Sequence, residues 1–503
     1  MTLTSAQTGT IFNPATGEVA GEVRWTDPGD VPRIVARLAA AQRDWDSRGA
    51  KGRAQALARY ALWLGEHRGE IEDLLVEETG KSRADATQEA PLLIMILSYY
   101  IKTMEKALAP ETRPPSQPFL AIKKIKVHYR PRPVVGIIAP WNFPVANALM
   151  DGIGALAAGC AVLLKQSERT PLTAEVLVRG WRACGAPDVF ALAQGAREVS
   201  EAVIDNVDFV QFTGSSATGR KVMERAARRL TPVSLELGGK DPMIVLEDAD
   251  IKLAAHAAVW GSMFNAGQMC VSVERVYVHE RVYDEFVDAV VRDVDALKVG
   301  TGEGYNYGSL IDDNQLAVIE RHVADAMAKG ARVLTGGRRM PGRGVFYPPT
   351  VLVDVDHSMA CMTDETFGPT LPIMKVSNES EAVRLANDSP YGLSASVFSG
   401  DVQRAKEIAM QLDCGAVNIN DAVSNLSCTS APMGGWKSSG IGARFGGAEG
   451  LRKFCRVETV VEPRIKFGAG ANYYTASPKA QARMTKQTTW MALRRPRRAA
   501  RER

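Results

Sequence analysis

Short apolar runs alternate with helical stretches between Val134 and Arg229, and this alternation constrains the fold more than any other feature of the chain. Four runs rich in Val, Leu, Ile and Phe have the length of buried strands: 134–138, 161–164, 189–192 and 209–212. The segments that follow them have the composition and spacing of helices: 146–158, 171–183, 199–204 and 216–229. Such an alternation predicts right-handed βαβ units and a parallel sheet. In outline this is a nucleotide-binding architecture.

A second series of strands and helices begins after Gly238 and predicts a second α/β domain. Its strands are expected at 243–246, 275–278, 332–334, 372–375 and 394–398. Its helices are expected near 251–265, 282–295, 313–329, 380–387 and 401–411. Two other segments lie outside this pattern. Residues 119–130 alternate apolar and basic side chains with period two, and 454–461 form a final apolar strand.

The charge of the chain is unevenly distributed. The total is +4, but the segment Lys479–Arg503 carries nine Lys or Arg residues and one Glu, a local charge of +8. Residues 1–478 therefore carry −4, which excludes a nucleic-acid binder that depends on overall charge. The apolar fraction, 46%, is that of a folded globular protein and excludes global disorder.

The seven cysteines are far apart and form no CxxC pair, which favours a reducing compartment. Met1–Gly21 lacks the basic start and apolar core of a signal peptide. The longest apolar run, Gly152–Leu164, is 13 residues long and too short to cross a bilayer. We therefore expect a cytoplasmic protein. The six histidines are scattered without ligand spacing, so we expect no metal site.

Two segments carry candidate reactive groups. Cys270 ends the segment Phe264–Cys270 beside Gly267, and a thiolate there would be a strong nucleophile toward a carbonyl carbon. Glu236 lies between two leucines and precedes two glycines. An apolar setting disfavours its charged form and suits a general base. Taken singly, a buried structural cysteine and a turn carboxylate explain these two residues as well.

Two more segments follow predicted strands. Phe212–Gly219 opens a helix, where backbone N–H groups suit a phosphate, although it has only two of the three glycines of GxGxxG. Pro140–Pro144 holds Asn142 in a restricted backbone with a side-chain amide that can donate a hydrogen bond. A tight turn is the alternative interpretation for each segment.

Together these segments make the chain, from about Ile11 to Glu462, resemble the aldehyde dehydrogenase superfamily. The family pattern of PWNFP, KxxExTP, FTGS, ELGGK, GQxC, ExFGP, NxxxYGL and GGxKxSG occurs here in the same order. The matching segments are Pro140–Pro144, Lys165–Pro171, Phe212–Ser215, Glu236–Lys240, Gly267–Cys270, Glu365–Pro369, Asn387–Leu393 and Gly434–Gly440. As in the family, Cys270 follows Glu236 by 34 positions.

The resemblance implies a mechanism and a set of site residues. Cys270 would attack the aldehyde, and the oxyanion would be held by the Asn142 amide and the Cys270 backbone N–H. Hydride transfer would leave a thioester, and Glu236 would activate water to release the acid. The implied cofactor contacts are Trp141, Lys165, Glu168, Gly214, Ser215, Gly219, Glu365 and Phe367. Within this set, Lys165 and Glu168 would bind the adenosine ribose, and Glu365 and Phe367 the nicotinamide ribose and ring.

The implied cofactor is NAD. The Glu168 carboxylate would accept a hydrogen bond from the 2′-hydroxyl and repel a 2′-phosphate, although NADP use stays open. The implied fold is α/β, with a Rossmann-type parallel-sheet cofactor domain, an α/β catalytic domain and a small β oligomerisation extension. The expected boundaries are 1–116 and 134–238 for NAD binding, 239–440 for catalysis, 117–133 and 441–463 for oligomerisation, and 464–503 for a basic tail. A homodimer or homotetramer follows from this resemblance.

The chain departs from the family pattern at two places. Met433 replaces the usual Phe, and Gly442-Ala-Arg444 replaces the usual Gly-Arg-Glu. Both are expected near the substrate entrance or a subunit contact, where they would affect the substrate rather than the reaction. The stretch around Met433 and Phe445–Cys455 looks like actinobacterial members, some of them succinate-semialdehyde dehydrogenases, but the sequence identifies no arginine for a substrate carboxylate.

Three alternatives stay open at this point. The enzyme could transfer the acyl group to CoA instead of water, although such relatives lack the base glutamate that Glu236 supplies here. It could be a catalytically silent member with a binding role. The basic tail could be a solvated, partly disordered end, or Trp490, Met491 and Leu493 beside its arginines could rest on an anionic membrane surface.

Overall fold

The computed structural model describes residues 8–116, 120–464 and 476–499, with 494–499 described by their backbone alone. The chain forms two compact units. The larger unit is built from the chain up to Glu105 and from Pro131–Phe454, and the smaller from Lys106–Arg130 and from Cys455 onward. The expected oligomerisation strand 117–133 begins at residues 117–119, which lie outside the described residues.

The strands are, in chain order, β1 (Thr8–Phe12), β2 (Val19–Arg24), β3 (Glu111–Arg113), β4 (Lys123–Pro131), β5 (Val134–Ile138), β6 (Ala161–Lys165), β7 (Phe190–Leu192), β8 (Phe209–Thr213), β9 (Val233–Glu236), β10 (Asp241–Val245), β11 (Val273–His279), β12 (Arg332–Thr335), β13 (Thr350–Val353), β14 (Thr370–Val376), β15 (Ser394–Phe398), β16 (Ala416–Ile419), β17 (Gly440–Ile441) and β18 (Cys455–Pro463).

The helices are α1 (Val31–Ser47), α2 (Gly49–Glu66), α3 (Arg68–Thr79), α4 (Arg83–Ala86), α5 (Glu89–Leu108), α6 (Pro144–Ala158), α7 (Pro171–Ala183), α8 (Arg197–Asn206), α9 (Ser216–Ala227), α10 (Ile251–Met263), α11 (Tyr283–Asp295), α12 (Asp313–Ala328), α13 (Ala360–Thr363), α14 (Glu379–Asn387), α15 (Val402–Ala409), α16 (Glu449–Arg452) and α17 (Pro478–Ala499).

The larger unit contains two mainly parallel sheets among its described residues. One has the order β17-β9-β8-β5-β6-β7, and its only antiparallel pairing is β17 with β9. The other has the order β12-β13-β14-β11-β10-β15-β16, with β12 antiparallel to β13. The α/β class and the parallel sheets expected from the sequence are confirmed.

Burial explains why the first sheet forms. Every residue of β5, β6 and β8 is buried, as expected for central strands of a parallel sheet that is covered on both faces. Helix α6 packs against this sheet and is buried along its whole length. It nevertheless carries two polar side chains, Asn147 and Asp151, one turn apart and therefore on one face. Buried polar residues need partners, and these two find theirs in the site described below.

The predicted strands 134–138 and 394–398 match β5 and β15 to the residue. The strands β13 and β16 were not among those predicted. Both are only four residues long, Thr350–Val353 and Ala416–Ile419, and such short apolar segments carry little periodicity to read. Each extends the second sheet, β13 beside β14 and β16 beside β15.

The smaller unit contains a three-stranded sheet of order β18-β4-β3. Its strands β4 and β18 carry ion pairs between Lys124 and Glu462 at 2.9 Å and between Arg130 and Glu458 at 3.4 Å. The period-two pattern of 119–130 is thus realised as a strand over the described residues Lys123–Pro131.

Part of the basic tail is helical, whereas one of the two alternatives from the sequence was a solvated, partly disordered end. Residues Pro478–Ala499 form the helix α17, because this segment is rich in Ala, Arg, Lys, Gln, Met and Leu, which have high helix propensity. Residues 465–475 and 500–503 of the predicted tail lie outside the described residues. No helix in the described ranges has the length and apolar character that crossing a membrane requires.

Candidate active site

The first sheet brings three of the predicted motifs together at one edge. Asn142 follows β5, Gly214 and Ser215 follow β8, and Glu236 ends β9. These three strands are neighbours in the sheet and run parallel, so their carboxyl ends lie side by side. Ligands of open α/β sheets bind at this edge. The Gly214 backbone N–H also donates to the Glu236 carbonyl at 3.1 Å, which links two of the motifs directly.

Cys270 follows a tight turn in the part of the larger unit that contains the second sheet. Asn265, Ala266 and Gly267 have left-handed backbones, with φ of 53°, 56° and 70°. At Gly267 a Cβ would lie 2.1 Å from the Gly368 carbonyl oxygen, so only glycine fits there. The Asn265 side chain donates to the backbone oxygens of Asn142 at 3.0 Å and of Gln268 at 3.2 Å. The turn that carries the thiol is therefore held against the Asn142 segment.

Glu236 and Cys270 share a dry environment. Glu236 is 1% exposed, and neither of its carboxylate oxygens has a hydrogen-bond partner among the described residues. Burial raises the pKa of Glu236 to about 7, and the Arg444 guanidinium opposes that rise. Burial, and after it the negative charge of Glu236, raises the pKa of the Cys270 thiol to about 12. The resting thiol thus keeps its proton near neutral pH, and Glu236 titrates in that range.

The two glycines after Glu236 permit close contact with two other motifs. A Cβ at Gly239 would lie 2.3 Å from the Cys270 carbonyl oxygen, and one at Gly238 would lie 2.4 Å from a Glu365 carboxylate oxygen. The Gly239 N–H donates to Glu365 at 3.0 Å. The Glu236 loop therefore touches both the nucleophile turn and the Glu365 loop.

Asn142 is fixed from both sides. Its side-chain Nδ2 donates to the Gln268 carbonyl at 2.9 Å, two residues before Cys270. Its backbone carbonyl accepts from Lys81 Nζ at 3.1 Å. Lys81 pairs with Glu89 at 2.6 Å, and Glu89 also accepts from the first N–H groups of α6 at Val145 and Ala146. This buried pair was not found from the sequence, because neither residue belongs to a motif.

A long cleft leads away from Cys270 along the sheet edge. Its inner cavity, about 370 Å³, is lined by Trp141, Asn142, Gly214, Cys270, Glu365 and Phe367 among others. Its outer cavity, about 790 Å³, is lined by Lys165 and Glu168 and shares Trp141, Gly214 and Ser215 with the inner one. The structure thus brings all but two of the predicted site residues to one continuous cleft wall.

The remaining two predicted residues lie beside that wall. Glu236 is buried and is not among the residues that line either cavity. Gly219 lies in the first turn of α9, where a Cβ would meet Leu237 Cδ2 at 2.5 Å. Its role in the fold is close packing of this helix, and it does not line either cavity.

The donor set of the cleft fits a dinucleotide. At the outer end Lys165 is buried and lies 3.3 Å from the half-exposed carboxylate of Glu168, and burial lowers the pKa of Lys165. In the middle, Ser215 caps the N-terminus of α9, where backbone N–H groups attract phosphate. At the inner end the Phe367 ring meets Trp141 edge to face, with ring centres 5.6 Å apart. From the outer to the inner end, the cleft thus offers polar groups suited to a ribose, a helix N-terminus suited to phosphate, and aromatic rings suited to a planar base. This is the order of groups along a dinucleotide.

Supporting residues of the cleft carry no motif signal. Glu274 accepts from the backbone N–H groups of Thr366 at 2.8 Å and Phe367 at 2.9 Å, and pairs with Lys240 at 2.6 Å. Gln315 donates to the carbonyl oxygens of the same two residues. Both side chains therefore shape the Glu365–Phe367 loop from positions far away in the sequence.

A third, small cavity of about 80 Å³ opens on the other side of Cys270. Most of its wall is apolar, formed by Leu92, Phe143, Met150, Phe264, Met269 and Leu426. Arg444 is the one cation among the residues that line it. An aldehyde that reaches the thiol from this side would place its side chain against an apolar surface.

The structure adds contacts of Arg444 that the sequence did not predict. The sequence placed it near the substrate entrance or a subunit contact, with consequences for the substrate alone. The structure buries it to 2% exposure with Nη1 3.6 Å from Glu236 Oε1 and Nε 3.3 Å from Asp151 Oδ2. A buried arginine needs carboxylate partners, and the two it finds here include the candidate base. The positive charge of Arg444 therefore acts on the Glu236 carboxyl and lowers its pKa.

The sequence model of the aldehyde dehydrogenase family matches residues 2–460. A provisionally named NADP(+) succinate-semialdehyde dehydrogenase 2 of Mycobacterium ulcerans is 41% identical over 442 residues, which cover 87% of this chain and 85% of that protein. A similarly named protein of Sinorhizobium fredii is 37% identical and covers 88% of this chain and 90% of its own length.

Solved structures of aldehyde dehydrogenases are also similar to this chain. A provisionally named aldehyde dehydrogenase of Anabaena variabilis superimposes with a TM-score of 0.88 at 35% identity, over 93% of this chain and all of that one. Lactaldehyde dehydrogenase of Escherichia coli superimposes with a TM-score of 0.86 at 33% identity, over 92% of this chain and 97% of that one.

Proposed function

The chain belongs to the aldehyde dehydrogenase family and is an NAD(P)-dependent oxidoreductase, and on that premise we propose that it converts an aldehyde to the carboxylic acid by a hydrolytic route at Cys270, Glu236 and Asn142. The observation that carries this proposal is the buried Glu236 carboxylate beside the Cys270 thiol, with no hydrogen-bond partner of its own in the described structure. A carboxylate in that state is available to bind and activate water.

The proposed reaction has three steps. Cys270 Sγ attacks the aldehyde carbon while the thiol proton passes to solvent water, and the resulting thiohemiacetal oxyanion accepts hydrogen bonds from Asn142 Nδ2 and the Cys270 N–H. The C–H bond then breaks and a thioester remains on Cys270. Finally Glu236 takes a proton from water, the hydroxyl adds to the thioester, and the acid leaves as the thiol is restored.

The cofactor supplies one chemical function, since a bound oxidised nicotinamide accepts the hydride. The protein holds it through Lys165 and Glu168 at the outer cleft, Gly214 and Ser215 in the middle, and Trp141, Glu365 and Phe367 at the inner end. We propose that NAD is preferred and NADP is accepted. The Glu168 carboxylate supports the first part, and the names of the relatives, which specify NADP(+), support the second.

Hydrolysis is favoured over transfer to CoA by Glu236. A CoA-dependent route needs no base for water, whereas here a buried carboxylate is kept beside the thiol at the energetic cost of its burial. The test is to measure acid release with NAD and aldehyde in the absence of CoA. Acid formed at full rate supports the proposal, and strict dependence on CoA would refute it.

We propose an uncharged aldehyde with a short apolar side chain as the preferred substrate. The small cavity beside Cys270 is mainly apolar, and its one cation, Arg444, is already bound by Asp151 and Asn147. Succinate semialdehyde is the second candidate, because the relatives carry that name. Its carboxylate would have to displace one of the partners of Arg444.

A panel of aldehydes decides between these substrates. Propanal, butanal, benzaldehyde and succinate semialdehyde are assayed with saturating NAD and ranked by kcat/KM. Apolar aldehydes at least tenfold above succinate semialdehyde support our first candidate, and the reverse order establishes the second. If none is oxidised, the hydrolytic proposal itself fails.

We propose that the chain forms a homodimer or homotetramer through the smaller unit. Strand β18 is an edge strand with exposed Val457, Val460 and Val461, and an exposed edge of this kind is suited to extend a sheet of a second copy. Light scattering coupled to size-exclusion chromatography tests this, and a monomer at micromolar concentration would refute it. We also propose a cytoplasmic location, which is supported by the finding that none of the seven cysteines, all of them in the described ranges, forms a disulfide.

A further inference from the structure

A line of hydrogen bonds joins Arg444 to Asn142 through Asn147. Arg444 Nη2 donates to Asn147 Oδ1 at 2.5 Å, and Asn147 Nδ2 donates to Asn142 Oδ1 at 3.0 Å. All three side chains are buried. Two of them, Asn147 and Arg444, belong to no motif of the chain, and 297 positions separate them in the sequence.

The donor and acceptor groups of these three side chains fix the orientation of each amide in the line of hydrogen bonds. A guanidinium has only donors, whereas an amide has a donor end and an acceptor end. Asn147 must therefore turn its oxygen toward Arg444 and its NH₂ group toward Asn142. The oxygen of Asn142 must then face Asn147, and its NH₂ group faces the turn of Cys270, where one N–H donates to the Gln268 carbonyl.

From these orientations we propose that Arg444 and Asn147 are positioning residues, which fix the donor end of the Asn142 amide toward the reacting oxygen. The proposal rests on the oxyanion role of Asn142 proposed above. With the amide reversed, a carbonyl oxygen would face the developing negative charge and would destabilise it. Loss of one oxyanion donor costs about 10²–10³ in rate.

Arg444 is itself held in place by charge. Asp151 accepts from its Nε at 3.3 Å and lies one turn after Asn147 on the same face of α6. Lys453 lies 3.2 Å from the other oxygen of Asp151 and donates to Gln211 at 2.7 Å. With Glu236, the cluster holds two cations and two carboxylates, so the buried guanidinium is compensated. Because Arg444 is held in place, its donor group fixes the orientation of the Asn147 amide.

The test replaces the amide of Asn147, the middle residue of the line, with a carboxylate that can only accept hydrogen bonds. In Asn147→Asp, the new carboxylate still accepts from Arg444 but has no N–H for Asn142. Asn142 would then satisfy it by turning its own NH₂ group away from Cys270. We expect kcat to fall about 100-fold with KM changed less than threefold, because the loss is in the transition state. The matched control is Asn206→Asp, which should retain full kcat, because the Asn206 amide donates to the Ala202 carbonyl within helix α8.

A double-mutant cycle separates positioning from a general structural defect. If Asn147 acts through Asn142, Asn147→Asp should lower kcat less than threefold in an Asn142→Ala background. An equal fall of kcat in both backgrounds, or no fall of kcat in the wild-type background, would refute the proposal that Asn147 positions Asn142. If Asn147→Asp does not fold, Asn147→Leu takes its place in the same cycle, with an expected fall of about tenfold that again requires Asn142. If Asn142→Ala alone keeps its kcat within threefold of wild type, the proposed oxyanion role fails instead.

Discussion

Arg444 Nη1 lies 3.6 Å from Glu236 Oε1, and both side chains are almost entirely buried, at 2% and 1% exposure. Burial raises the pKa of Glu236 to about 7, and the charge of Arg444 keeps that pKa from rising further. The base would thus be half ionised near neutral pH because two opposing effects act on it. Asp151, Lys453 and the Cys270 thiol are the other titratable groups that act on Glu236.

The first prediction concerns the pH profile. Hydrolysis needs the ionised carboxylate, so kcat should fall as the pH drops below about 7. Arg444→Met removes the cation that favours the ionised form, and the acid limb of the profile should move to higher pH by about one unit or more. Arg332→Met, which removes an exposed pair with Asp354 at 2.6 Å, is the control and should leave the profile in place. An unmoved limb in Arg444→Met would contradict the account.

The second prediction concerns the choice of cofactor. Glu168 is half exposed at the outer end of the cleft, where its carboxylate would repel a 2′-phosphate. Glu168→Gln should raise kcat/KM for NADP by about tenfold and lower it for NAD, because the hydrogen bond to the 2′-hydroxyl weakens. Asp188→Asn, which alters a surface carboxylate paired with Arg37, should change neither value. An unchanged NADP to NAD ratio in Glu168→Gln would exclude this residue as the discriminator.

The third prediction concerns the turn before Cys270. Gly267→Ala would place a Cβ 2.1 Å from the Gly368 oxygen at a residue with φ of 70°, so the turn must shift. We expect a loss of more than about 100-fold in kcat, since small displacements of reacting groups have effects of that size. Gly69→Ala, in helix α3 with open space around the new Cβ, is the control and should be neutral or slightly stabilising. Wild-type kcat in Gly267→Ala would show that the turn tolerates movement.

The fourth prediction concerns the buried pair behind the cleft. Glu274→Ala leaves Lys240 buried without its carboxylate and frees the backbone N–H groups of Thr366 and Phe367. We expect the free energy of unfolding to fall by about 3–5 kcal/mol, and the KM for the cofactor to rise. Glu70→Ala removes an exposed ion pair with Arg179 and should cost less than about 1 kcal/mol. Denaturant titration of both variants makes the comparison, and equal losses would contradict it.

The fold class and the reactive groups could be predicted from sequence because they depend on local signals. The strand β5 and the helix α7 were predicted with their exact observed ends, since buried strands and a proline at the first helical turn leave clear patterns. Cys270 and Glu236 lie within motifs whose order and spacing are themselves informative.

The residues that orient this machinery could not be found in the same way. Asn147 is one of two polar residues in an apolar helix, and Arg444 departs from the family pattern. Their importance comes from contacts between distant parts of the chain, such as the hydrogen bond of Arg444 to Asn147 and the support of Asn142 by Lys81. The tail helix α17 was not predicted either, because the high charge of this segment is typical of a solvated end, although its residues have high helix propensity.

The central claim is that a thioester forms on Cys270 and that Glu236 is needed to hydrolyse it. The most direct measurement is denaturing mass spectrometry of Glu236→Gln after mixing with NAD and an aldehyde that the wild type oxidises. We predict one acyl group per chain on the peptide that contains Cys270, formation of about one equivalent of reduced cofactor, and steady-state turnover at least about 100-fold below wild type. Glu236→Gln that turns over at the wild-type rate, or an acyl group on a peptide without Cys270, would contradict the account.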